Sequence, residues 1–328
     1  MVTLLRTRPA QAALGVLGDM VRPEPPDERH PVAWFGRAMG AVERTLYADT
    51  RAAGVRFAAA GIGLGAAAGV VVRATAPATA LAVAGRALAE TATNVADALE
   101  VGDLDAARAL LPGLVGRDPD GLDAPGIARA VVESVAENTV DAVVAPALWA
   151  GALGAPGALA YRAVNTLDAM VGHRTPRYRR FGWASARLDD AAAWVPARLT
   201  AALVVAVRPA ARREVVAAVR TQAPAHPSPN AGVAEAAFAG ALGLRLGGPS
   251  AYAGVEELRP VLGNGRAPEP RDIARAVALS RDVTLALVGV LGLWAAGARA
   301  MSVLTGRRVL TGRRARRRRG AGPWAAIR

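Results

Sequence analysis

The sequence predicts an all-α fold: a polytopic integral membrane helical protein with polar loops and amphipathic helices at the membrane rim. Three observations carry that expectation. No stretch sustains the two-residue period of a strand, and no repeat at solenoid spacing is present. Uncharged runs occur at 57–72, 74–85, 142–161 and 283–298. Hydrophobic residues make up 52% of the chain but aromatics only 4%, so the apolar content is mostly Ala, Val, Leu and Gly, which suits close helix packing in a bilayer. Only 142–161 reaches the roughly 20 residues that cross hydrocarbon, and it carries Pro146 and Pro156. The runs 57–72 and 283–298 are bounded by Arg56, Arg73 and Arg299, whose side chains can snorkel to the headgroups. A soluble bundle with Ala-rich core helices is the alternative reading of the same runs.

Taken in order, residues 1–20 form a first apolar helix, read as retained because the run 9–18 lacks a cleavage site and ends at Asp19. Four prolines in 21–32 forbid regular helix there. An amphipathic helix spans 34–50, and 57–85 is an apolar hairpin or one helix broken near Pro77. Residues 87–111 form a polar-faced helical pair, and 114–126 is a loop. Pro125 then opens a long helix as a first-turn proline. An apolar helix over 199–207 leads into a basic one around 208–220, then the loop 222–232, a helix over 233–246, irregular chain over 249–270 and a last helix over 271–299.

Composition excludes several chemistries. Cysteine is absent, which removes disulfides, thiolate nucleophiles and Cys-ligated zinc. All 40 basic residues are Arg; without Lys there is neither a Walker A loop nor a Schiff base with pyridoxal phosphate. The net charge is +13, but residues 305–328 hold nine Arg and no acid, leaving only +4 elsewhere. That segment shows no aromatic interleaving or nucleic-acid motif, so no nucleic-acid partner is expected. It reads as a disordered, cytoplasmic tail facing anionic lipid.

The chemistry concentrates between Glu133 and Pro196. Glu133, Glu137 and Asp141 are spaced by four, a drift of about 40° per step on a helix, so their carboxylates project from one face beside Asn138. Asn165 and Asp168 share a face in the same way, and Arg187, Asp189 and Asp190 follow. Acids inside apolar sequence need a partner, a metal or a proton. Each cluster also has a plainer reading: a solvated stripe, a cap-and-first-turn pair, and a surface ion-pair cluster. In the loop His226–Gly232, Asn230 can be simply an N-cap after a rigid turn, and His30 and His226 can serve as turn or capping residues.

HPVAWFGR (30–37), LVGRD (114–118), ESVAENTVD (133–141), YRAVNTLDAMVG (161–172), RYRRFGWASARLDD (177–190) and HPSPNAG (226–232) together resemble the cobinamide-phosphate synthase family of cobalamin biosynthesis, the CobD/CbiB proteins. The resemblance covers about residues 14–293 and rests on several motifs in the family's order. The chain departs from the family pattern at Met20, Pro119, His173 and Ala193–Trp194.

The resemblance implies one membrane domain over 1–304, followed by the tail, in a multi-pass protein of the cell membrane. It implies an amide-forming, ATP-dependent ligase that joins a propionate carboxyl of cobyric acid to (R)-1-amino-2-propanol or its O-phosphate, alongside other late cobalamin-pathway enzymes. Activating a carboxylate this way calls for Mg²⁺ and cationic phosphate donors. Catalytic roles then fall on Glu133, Glu137, Asp141, Asp168, Asp189 and Asp190, with Glu137 and Asp141 as metal ligands. Substrate-binding roles fall on Arg117, Asp118, Asn138, Asn165, Arg187, His226, Ser228 and Asn230, with Arg174 and Arg180 as further phosphate donors. The rival is a non-enzymatic transport or corrinoid-handling component whose carboxylates line a path.

Overall fold

The computed structural model describes residues 5–22, 30–115, 119, 121–173, 175–252 and 255–319. Helix covers 79% of the chain, so the all-α expectation holds at the level of class. The order is α1 (Arg8–Val21), α2 (Pro31–Leu46), α3 (Arg51–Val72), α4 (Thr75–Ala82), α5 (Gly85–Glu100), α6 (Leu104–Leu110), α7 (Ala124–Thr139), α8 (Ala145–Leu153), α9 (Ala155–Val171), α10 (Trp183–Val207), α11 (Arg212–Thr221), α12 (Ala231–Leu242) and α13 (Pro270–Arg319). Helix α13 takes in the first part of the Arg-rich segment.

One region departs from the expectation. Residues 246–262, read largely as irregular, form an antiparallel pair, β1 (Leu246–Tyr252) and β2 (Val255–Leu262). Its strands contain Gly247, Gly248, Pro249 and Pro260, residues that weaken any strand signal in sequence.

Helix α7 is the hub. Its residues from Ile127 to Ala136 are buried almost without interruption, and it packs against α5, α12 and α13. A smaller cluster of Met39, Phe57, Leu167 and Phe181 ties α2, α3 and α9 to the start of α10. Helices α3 and α9 approach closely because Gly61, Gly65 and Gly69 recur every fourth residue. A side-chain carbon at Gly65 would lie 2.7 Å from the Leu159 carbonyl oxygen, and one at Gly69 2.4 Å from the Pro156 α-carbon.

Among the described residues, three helical segments are long and apolar enough to cross a bilayer: Arg51–Val72, Trp183–Val207 and Pro270–Ser302. Only 28%, 33% and 39% of their apolar windows are buried within the protein, so most of that surface faces outward. The uncharged run 142–161, the one of full length by sequence, is not among them. It folds back on itself at Gly154, where φ of 75° makes a turn between α8 and α9 that few side chains tolerate.

Candidate functional site

The acidic clusters meet in one cleft of about 280 Å³. Glu137 comes from the end of α7 and Asp141 from the turn that follows. Asp168 comes from the last turn of α9, Asp189 and Asp190 from the beginning of α10, and Ser228 and Asn230 from the loop before α12. Val140–Val144 is a π turn, a wider coil that inserts a residue between α7 and α8. It holds Asp141 in the cleft. Glu133 stands apart: the 40° drift between steps of four points its buried carboxylate at the hairpin, where Oε1 accepts the Gly247 N–H at 2.7 Å.

The cleft is dense in negative charge. Burial, then repulsion from Asp189, Glu137 and Asp168, pushes the Asp141 carboxyl well above the ordinary range; a long hydrogen bond from Tyr161, 3.4 Å, offsets this in part. The Tyr161 hydroxyl is in turn raised by burial and by Asp141. Burial lifts Asp168 to about 6, with His173 pulling it down and Asp190 pushing it up.

The remaining predicted residues have varied positions. Asn165 Nδ2 donates to Asp189 Oδ1 at 3.5 Å, at the edge of hydrogen-bonding range. Arg187 is 65% exposed and reaches Asp190 at 3.4 Å, a surface geometry of small energetic weight. Asn138 turns away from the cleft and donates to the carbonyl and hydroxyl oxygens of Ser134. Arg180 is also distant, paired with Asp49 at 3.7 Å. Arg117, Asp118 and Arg174 lie outside the described residues. His30 caps α2, its Nδ1 accepting the Val32 N–H at 3.3 Å.

The loop before α12 is locked internally. His226 Nδ1 accepts the Ser228 N–H at 3.1 Å, and Ser228 Oγ accepts the N–H groups of Asn230 and Ala231. Ser228, rather than Asn230, therefore supplies the side-chain cap. The Asn230 side chain is committed elsewhere: Nδ2 donates to the Asp190 carbonyl and Oδ1 accepts from Arg198, both at 2.8 Å. Glu235, unremarked in sequence, is 1% exposed on α12, with Oε1 3.8 Å from His226 Nε2. The clue was available, because an acid in a helix otherwise made of Ala, Gly, Val, Phe and Leu needs a partner.

Glu137 and Asp141 face the same space, yet among the described residues no three His, Asp or Glu side chains converge on a metal position. The cleft is therefore no closed coordination shell. Five carboxylates of one sign do favour a cationic occupant, whether a hydrated metal or an ammonium group, and disfavour a bare phosphate.

The family described as CobD/Cbib protein matches residues 12–280. The chain is 51% identical over 294 residues to the cobalamin biosynthesis protein CobD of Mycobacterium bovis, covering 86% of this chain and 94% of that one. It is 42% identical over 310 residues to the protein of that name from Chromobacterium violaceum, covering 89% and 96%. The Rhodobacter capsulatus protein is 49% identical over 213 residues, covering 64% and 67%. No solved structure matches the chain.

Proposed function

The chain belongs to the CobD/Cbib family, and from that premise we propose that it is the amide-forming enzyme of cobalamin biosynthesis that converts cobyric acid to cobinamide or its phosphate. The acceptor is (R)-1-amino-2-propanol or its O-phosphate, and ATP supplies the activation. A corrinoid propionate takes the γ-phosphoryl group with loss of ADP; the amine nitrogen then attacks the acyl carbon, and phosphate leaves with formation of the amide.

The observation that carries this reading is the shared cleft of Glu137, Asp141, Asp168, Asp189 and Asp190. An aminopropanol arrives as an ammonium ion and must lose a proton before it can attack. Carboxylates at its rim bind the cation, and Asp168, lifted to about 6, is suited to accept that proton near neutrality. Glu137 and Asp141 are the pair that would hold Mg²⁺, which keeps several waters when bound through one or two carboxylates and neutralises phosphate charge. Ser228 and Asn165 offer hydrogen bonds to the amide fringe of a corrinoid. The three outward-facing apolar helices support a multi-pass protein of the cell membrane, with the Arg-rich end cytoplasmic.

Complementation tests the reading. A strain lacking its own synthase is grown on cobyric acid as the sole corrinoid, with this chain or its Glu137→Gln or Asp168→Asn variant. Rescue by the wild type and failure of both well-expressed variants is the expected result. Failure of the wild type despite membrane expression would overturn the ligase reading in favour of transport. Rescue by both variants would keep the pathway step and move the site.

A further inference from the structure

The acidic cleft has no cationic side chain among its lining residues, so the phosphates of a ligand need a cationic surface elsewhere. A second cavity of about 360 Å³ opens between the start of α7, the start of β1 and the segment before α13. Arg129 and Arg245 line it, and Asp123 is the one acid among its lining residues. That carboxylate is already engaged as the cap of α7, accepting the Gly126 N–H at 2.9 Å. The first turn of α7 adds the positive end of its dipole.

The wall between the two arginines is stripped of side chains. Gly247 and Gly248 have φ of 78° and 88°, and a side-chain carbon at Gly247 would meet the Pro260 carbonyl oxygen at 2.0 Å. One at Gly248 would sit 3.4 Å from Arg129 Nη1. The GLRLGG stretch therefore lays bare backbone beside guanidinium groups, an arrangement that admits a phosphoryl group closely. Its neighbours are spoken for: Arg266 is bound to Asp272 at 2.7 and 2.9 Å, and Arg275 to the same carboxylate at 2.6 Å. Arg245 makes no ion pair among the described residues, while its backbone N–H is fixed on the Arg266 carbonyl at 2.8 Å.

The geometry points to this cavity, lined by Arg129, Arg245, Gly247 and Gly248, as a binding site for the phosphoryl end of a phosphorylated substrate. The assignment rests on the amide-forming reading for its ligand, a nucleoside triphosphate or a phosphorylated amine. Helix α7 joins the two sites. Arg129 and Glu137 are eight residues apart on it, about 12 Å along the axis, and Glu133 between them ties the glycine wall to the helix. A phosphorylated three-carbon amine with its nitrogen in the cleft spans only about half that distance. That difference favours a nucleotide as the ligand of this cavity.

Equilibrium binding to the purified full-length protein in lipid nanodiscs tests this, using MgATP, aminopropanol O-phosphate and inorganic phosphate as separate probes. The expected result is that MgATP binds the wild type and that Arg245→Gln, at an exposed position, weakens it by roughly tenfold, with Arg129→Gln doing the same. Preferential loss of aminopropanol O-phosphate binding would also support the site and would name the amine as its ligand. Unchanged affinities for all three probes in Arg245→Gln, or no binding of any probe to the wild type, would overturn it. Rescue by the wild type in the complementation assay, alongside unchanged binding in Arg245→Gln, would discard this cavity while leaving the amide-forming reading in place.

Discussion

Glu235 Oε1 lies 3.8 Å from Nε2 of His226, with both side chains shut away from solvent, and the opposite nitrogen of that ring holds the backbone of Ser228. One buried acid on α12 is thus linked through a single imidazole to the wall of the acidic cleft. Replacing Glu235 by Ala removes the buried acid that faces this ring and is expected to cost about 1–3 kcal/mol, read as a fall in the unfolding temperature in detergent. Glu235→Gln, which keeps a polar group there, should cost less. Equal losses for the two would show that the pairing does not hold the loop.

Stability should also depend on pH through Asp168. Its carboxyl keeps a proton up to about 6 in the folded protein but loses it near 3.8 when unfolded. The contribution is therefore complete below about pH 4 and is lost as pH rises through 6, amounting to at most about 3 kcal/mol. Thermal unfolding between pH 4 and 8 should show the wild type weakening across that window. Asp168→Asn, which carries no charge to bury, should flatten the profile. An unaltered profile in that variant would locate the titration elsewhere.

Packing between α3 and α9 leaves no space at Gly69. Gly69→Val is expected to destabilise the protein by about 2 kcal/mol or more, because the clash is with backbone and the helices must separate. Gly63, where a side-chain carbon meets nothing within 4 Å, provides the control: Gly63→Ala should be neutral or slightly stabilising.

Deleting 305–328 removes nine arginines. Because no residue of the cleft lies there, the truncated chain should still rescue growth on cobyric acid. Any deficit should appear in membrane insertion or orientation. Loss of rescue in a chain that inserts normally would give the tail a direct part in the chemistry.

Much of this was legible in the sequence because the relevant signals are local. The spacing of Glu137 and Asp141, and the acids at 168, 189 and 190 inside apolar surroundings, mark the residues that meet in the cleft. The fate of Glu133 was not legible, since it depends on a glycine hairpin more than a hundred residues away. Nor was the division of the 142–161 run, where hydropathy averages over the turn at Gly154. That the cap before α12 comes from Ser228 and not Asn230 was hidden for the same reason. Two polar side chains near a helix start are equivalent until a third element, here Arg198, claims one of them.

The fold-back at Gly154 also bears on sidedness. A hairpin that enters and leaves at one level adds an even number to the tally of passages, whatever its hydropathy. Any passage through a bilayer would therefore fall to the long apolar helices, Arg51–Val72, Trp183–Val207 and Pro270–Ser302 among the described residues. The hairpin also returns the chain to the level at which it began, which is how Asp141, ahead of it, and Asp168, in the last turn of α9, come to line one cleft.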